Sequence, residues 1–213
     1  MHAHLPPPGD VGGLVSITGD DDAVWSRAAP FLAVRNNDSH TLYAYGFARA
    51  LLARLPGTDG EVVQSAILLH DTGWSTVPED AILEAIAPGG GRPDLVRRHE
   101  IEGARIATEI LTAEHRPRVL IDRVSEIVDG HDSRRHALSA EDAIVKDADK
   151  LWRVSPHGIA TVAAWFALTP REALRLTAAR VEDALLTEPA RAMAAALIAA
   201  GSIDLAPQRQ GLE

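Results

Sequence analysis

Six side chains combine the chemistry of metal ligands with positions that a folded chain would bury: His40, His70, Asp71, His99, His131 and Asp149. The pair His70-Asp71 closes the apolar run 62–69, so both should point inward from the last turn of a core helix. Burying an ionised carboxylate is costly unless it is paired or coordinates a metal, and the adjacent imidazole offers a nitrogen ligand. Taken singly, each residue has a bland reading. A His-Asp at a helix end can cap a carbonyl, and His40, in the first turn of its helix, can be a cap or a surface group. Together they are four histidines and two aspartates from five helical segments. Nitrogen and oxygen donors without sulfur suit manganese, iron, cobalt, zinc or magnesium rather than a soft metal. Six donors exceed what one catalytic ion with open positions needs, so two ions sharing a bridging carboxylate are expected.

The elements that must position these groups read as helices. Asp20-Asp21-Asp22 looks like the cap region of a short helix with Trp25 and Ala28 inward. The polar turn 35–40 opens a helix to about Arg54, with Leu42, Tyr45, Ala48, Leu51, Leu52 and Leu55 at helical spacing. Thr58 or Asp59 caps the next helix, and Gly73 can stop it by taking the left-handed conformation. Residues 74–93 are a connection with a short helix from Pro78 and a flexible glycine stretch over 88–91. Pro93-Asp94 starts a helix with His99, Gly103, Ile106 and Ile110 on one face, where Gly103 leaves room for close approach beside the imidazole. A helix over 118–128 ends at Asp129-Gly130-His131-Asp132, and a basic turn, Ser133-Arg134-Arg135-His136, follows. Ser139 caps the next helix with Asp142 as a loose capping box. Asp147 and Asp149 stand two residues apart and so on roughly opposite sides; Asp149 is placed inside and Asp147 outside. Beyond Ser155, two or three helices broken at Pro156, Pro170 and Pro189 carry no obvious ligands and read as packing or dimer surface.

Composition sets the outer limits. With 213 residues, 46% of them hydrophobic but only 4% aromatic, the chain can bury one sizeable core of packed helices. A net charge of −9 opposes non-specific binding to nucleic acid or anionic membranes. There is no cysteine, so disulfides and thiolate metal sites are excluded. No apolar run reaches the length of a membrane span, and the start, with His2 and His4 in a frayed terminus, has no apolar signal core. The expectation is a cytoplasmic, all-α, single-domain bundle. It has a flexible arm over 1–20, a helical domain over 21–205 with its metal core at about 36–155 and packing helices over 156–205, and a tail over 206–213.

The order H…HD…H…H…D over 40–152 resembles the HD-domain superfamily of metal-dependent phosphohydrolases. Local contexts match as well. Leu68-Leu69-His70-Asp71-Thr72-Gly73 is similar to the family's HD-x-G signature, and His99-Glu100-Ile101-Glu102-Gly103-Ala104 to the His-rich segment of its two-metal branches. Ile127-Val128-Asp129-Gly130-His131-Asp132 resembles the following ligand helix, and Asp147-Ala148-Asp149-Lys150-Leu151 the closing Ala-Asp-(Lys/Arg)-Leu motif, which favours Asp149 as the ligand. The resemblance implies an all-α fold in which His40, His70, Asp71 and Asp149 hold one metal, and Asp71 bridges to a second held by His99 and His131. Gly130 precedes His131, and no Gly-Tyr-Pro follows; this departs from the branch that cleaves cyclic dinucleotides and weighs against a third metal.

The expected activity is therefore hydrolysis of a phosphoester, in a nucleotide or a small phosphorylated metabolite, by metal-activated hydroxide. Asp71 lies at its centre, Lys150, Arg134 and Arg135 would lie on the phosphate, and Asp132 or Asp38 would transfer a proton. Two divalent ions are expected, iron or manganese, with magnesium, cobalt, nickel and zinc as alternatives. A small anionic substrate and a homodimer are the expected partners. The same six ligands also serve mixed-valent di-iron oxygenases that cleave C–C or C–P bonds, and a non-catalytic helical regulatory module is a third reading.

Overall fold

The computed structural model describes residues 6–7, 11–87, 89 and 91–210. His2, His4 and most of the first ten residues, Pro88 and Gly90 of the glycine stretch, and the last three residues lie outside the described residues. The fold is all-α, with no strand among the described residues. The helices are α1 (Asp20–Ala28), α2 (Asn37–Leu52), α3 (Gly60–Leu69), α4 (Glu79–Ile86), α5 (Pro93–Ala113), α6 (Arg118–Val128), α7 (Ala140–Trp152), α8 (Pro156–Trp165), α9 (Pro170–Glu182), α10 (Glu188–Asp204) and α11 (Pro207–Gln210). None is long and apolar enough to cross a membrane.

Helix α3 forms because an uninterrupted apolar run follows the Asp59 cap, whose carboxylate accepts from Val62 N. It is buried on nearly every side, against α1, α2, α5, α6 and α7. Its C-terminus does not end on a left-handed glycine. The chain passes through His70 and Asp71 into a 3-10 turn, Thr72–Thr76. Gly73 is required for a different reason: a Cβ there would stand 1.9 Å from the His99 carbonyl oxygen and 2.5 Å from Gly103 N. Opposite it, a Cβ on Gly103 would meet His70 O at 3.2 Å. These two glycines bring the backbone after α3 onto α5, as the spacing of Gly103 suggested, and so bring the His70-Asp71 pair beside His99.

Several local readings are corrected. Leu42 is 39% exposed and Tyr43 45%, because α2 buries His40, Thr41, Ala44, Tyr45, Ala48 and Leu51 instead. The three aspartates before Ala23 form the first turn of α1 rather than its cap, which is Gly19, and Trp25 is only partly buried. Asp147 is fully buried, not outside: it accepts from Leu186 N, Thr187 N and Thr187 Oγ1 and anchors the start of α10. Pro156, Pro170 and Pro189 begin helices α8, α9 and α10, where a missing N–H costs nothing. The tail contains the short helix α11.

The main core is flanked by two smaller apolar clusters. One gathers Trp74, Val77, Ile82, Ala85 and Leu95. The other gathers Ile159, Val162, Ala163, Ala173 and Leu174 from α8 and α9. A cavity opens between them, above the end of α3.

Candidate metal centre

The six expected residues come together at the bottom of this cavity, in two groups. His40 Nε2 lies 3.1 Å from His70 Nε2, 3.3 Å from Asp71 Oδ2 and 3.3 Å from Asp149 Oδ1. His131 Nε2 lies 3.4 Å from His99 Nε2 and 3.4 Å from Asp71 Oδ1. Asp71 therefore turns one carboxylate oxygen to each group. The exposed Asp132 joins the second, with Oδ2 3.7 Å from His99 Nε2. Donors bound to one ion at about 2.0–2.2 Å stand roughly 3–3.5 Å apart, so these edges are those of a ligand shell.

The helix ends aim the rings. His70 Nδ1 lies 2.8 Å from the Ile67 carbonyl and His131 Nδ1 2.9 Å from that of Val128, each one turn back along the chain. In each ring the Nδ1–H that donates to this carbonyl directs Nε2 at the cluster. Trp74 stacks on His99 with ring centroids 3.8 Å apart, and Trp152 meets His40 edge-on at 4.6 Å. Asp149 Oδ2 is buried without a hydrogen-bond partner. Imidazole lone pairs, carboxylate oxygens and an orphaned acceptor in one buried space call for a cation among them. The donor set fits divalent ions with nitrogen and oxygen preference.

Titration behaviour follows the same split. Burial opposes charge on every member of the cluster. At His40, hydrogen bonds to Asp149 and Asp71 overcome it and raise the imidazole to about 9. His131 is raised to about 9 by Asp71 and Asp132, again against burial. Burial prevails at His70 and His99, which are lowered and so favour the neutral ring. Asp71 and Asp149 are held below the usual carboxylate range by the histidines around them, against desolvation. One imidazole in each group thus holds a proton where a metal would otherwise supply the positive charge.

Gly130, at φ 103°, turns the chain out of α6 and into the loop that carries His131 and Asp132. Two buried charges fix that loop. Glu100 accepts from Asp132 N, Ser133 N and Ser133 Oγ, and Lys146 Nζ donates to the carbonyls of Gly130, His131 and Arg134. Sequence inspection missed both; the signal available was a charged residue one position after His99 and one at helical spacing from Asp142 and Lys150.

The cations expected on phosphate are placed elsewhere. Arg134 pairs with Asp142 at 2.9 Å and donates to the Asp129 carbonyl at 2.6 Å, closing the end of α6. Lys150 Nζ donates to the Lys146 carbonyl on its own helix. Arg135 is exposed in the following turn, and Asp38 accepts from Ser39 N in the first turn of α2. None of the four lines the cavity. The arginines that do are Arg35, Arg153 and Arg180. The apolar walls come from Ile82, Ile86, Val162, Trp165 and Phe166, so α8 and α9, read as packing, border the site.

A family model described as HD domain matches residues 37–153, more than half of the chain. No curated protein and no solved structure matches.

Proposed function

Because the chain belongs to the HD-domain family, a family of metal-dependent phosphohydrolases, we propose that it hydrolyses a phosphoester of a small phosphorylated metabolite or nucleotide at a two-metal centre. The observation that carries this reading is the placement of Asp71, one oxygen toward His40, His70 and Asp149 and the other toward His99 and His131. A side chain shared in this way suits two ions held a few ångströms apart, the arrangement used for in-line displacement at phosphorus. When bound, the ions lower the pKa of a water and polarise the phosphoryl group.

The chain's own residues do the rest. His40, His70, Asp71 and Asp149 would hold one ion, and His99, His131 and Asp71 the other, with Asp132 beside them. All three carboxylates line the cavity, but Asp71 and Asp149 are buried and Asp132 is exposed, so Asp132 is the one that accepts a proton from the attacking water. Arg153 lies at the mouth of the cluster, in the field of Asp149, Asp132 and Asp71, and neutralises charge on the phosphoryl oxygens. Trp74 and Trp152 close the sides of the floor and keep bulk water off the ligand rings.

The test is metal analysis of protein purified with and without oxygen, followed by a phosphoester panel under nitrogen. About two ions per chain and phosphate release in the absence of oxygen are expected. Substrate loss that requires oxygen would replace hydrolysis by the di-iron oxygenase reading. A protein that retains no metal and turns over nothing would leave the non-catalytic one.

A further inference from the structure

The cavity above the metal centre is half-enclosed, with a volume of about 80 Å³. In a chain of net charge −9, three arginines reach into it. Among the described residues none of the three forms an ion pair with a carboxylate within 4 Å. The Arg35 guanidinium touches the Glu79 carbonyl at 3.5 Å and lies 5.2 Å from the Trp165 ring centre, and its Nε is buried with no partner. Arg180 donates to the Ala87 carbonyl at 3.2 Å. Among the described residues the Arg153 guanidinium has no hydrogen-bond partner. Arg153, at the C-cap of α7, and Arg180, in the last turn of α9, line the same cavity from two different helices.

Arg35 is also held in an unusual backbone state. Arg35 and Asn36 are consecutive left-handed residues, at φ 53° and 59°. Asn tolerates that conformation; Arg gains nothing from it. The conformation sets Arg35 at the cavity wall and starts α2 three residues before His40.

Charge balance indicates what these cations serve. Two divalent ions carry four positive charges, and Asp71, Asp149 and Asp132 return three. A phosphoryl dianion more than offsets the remainder. The excess charge of that dianion offsets one arginine, and two positive charges remain in a half-enclosed space with apolar walls, where an isolated charge is costly. Arg153 can serve the phosphoryl group; Arg180 is tied to the Ala87 carbonyl just past α4.

We propose that the substrate carries a second anionic group, bound between Arg153 and Arg180, and an apolar, flat body seated between the α4 face at Ile82 and Ile86 and the α8 face at Val162 and Trp165. This rests on the phosphohydrolase reading for the identity of the first group, not for the second. Arg180, Val162 and Trp165 lie beyond the segment 37–153 that the family model matches.

The experiment measures binding of phenylphosphonate and its 2-, 3- and 4-carboxyphenyl counterparts by calorimetry, with manganese-loaded and metal-free protein. The matching aryl phosphates are assayed for phosphate release under nitrogen. At least one carboxylated isomer is expected to bind about tenfold or more tightly than phenylphosphonate, in both metal states, since a charged hydrogen bond of this kind is worth about that factor. In Arg180→Gln the ratio should fall to about one; Arg180→Lys, which keeps the charge and loses the planar fork, should retain part of it. A flat series on the unmodified protein overturns the proposal, and so does a ratio that survives Arg180→Gln. If the ratio is present and depends on Arg180 but no phosphate is released, the two-anion site stands and hydrolysis falls. If all the phosphates are cleaved without preference, hydrolysis stands and the second subsite falls.

Discussion

On the floor of the cavity the ring nitrogens and carboxylates stand 3.1–3.9 Å apart, and helix ends hold them. On its walls the polar groups are arginines from separate segments that meet no carboxylate among the described residues, set in apolar surface. The floor is densely packed with nitrogen and oxygen donors and suits an ion. The walls are sparsely bonded and specify a molecule. Chemistry and selectivity are thereby assigned to different parts of the chain, and each can be altered while the other is observed.

Asp71→Ala should break the floor completely. It removes the oxygens that face both groups, so metal content should drop below one ion per chain and turnover should fall by roughly a thousandfold or more. Elemental analysis beside a rate measurement checks this; full metal occupancy in the variant would refute the shared-carboxylate arrangement. Gly73→Ala attacks the same floor through the backbone. Its Cβ would lie 1.9 Å from the His99 carbonyl, and overpacking of this kind costs about 3 kcal/mol. Thermal unfolding should show the loss, and an unchanged midpoint would mean that the α3–α5 contact yields easily.

The third test is pH. In metal-free protein His40 and His131 are raised from 6.5 to about 9. Groups raised on folding stabilise the fold fully below the unfolded value and lose that contribution as pH rises through the folded one. Metal-free protein should therefore lose stability between about pH 6.5 and 9, while loaded protein, whose histidines have exchanged protons for ions, should not. Denaturant titrations at several pH values with and without metal would show it; parallel curves would sink the idea.

The walls should respond differently. Trp165→Ala removes apolar surface and the ring beneath Arg35, and should raise KM about tenfold with metal content unchanged. A change in metal content would mean that wall and floor are coupled. The smallest effect is expected at Arg135, exposed and off the cavity: Arg135→Ala should alter stability by less than about 0.5 kcal/mol and leave the kinetics nearly untouched. A large loss of activity would restore it as a phosphate ligand.

This division also explains what could be read in the sequence. The candidate ligands stand out because each sits at a helix end or on an apolar-facing helix position, and because His and Asp are expensive to bury without a purpose. The floor's supports did not. Glu100 and Lys146 look like surface charges on amphipathic helices until the 130–134 loop folds over them. Asp147 was placed on the wrong side because it was assumed that only one face of α7 is buried, whereas the α9–α10 connection covers the other. The walls are not legible in the sequence: Arg35, Arg153 and Arg180 are far apart and follow no motif, and Trp165 and Phe166 fall in the segment beyond Ser155 that reads as packing or dimer surface. Lys150, Arg134 and Arg135 were chosen for nearness in sequence to ligands, which says little about where a long side chain goes on a helix.

In each trio one ring has its far nitrogen tied to its own helix, at His70 and His131, while the far nitrogens of His40 and His99 are buried and bonded to nothing. A ring secured at both ends cannot follow a ligand that shrinks or swells; one secured only by its stem can pivot. A centre holding ions there would thus adjust to different radii, or to one ion in two oxidation states, by small rotations of His40 and His99 against the indoles they touch, while Asp71 keeps its place.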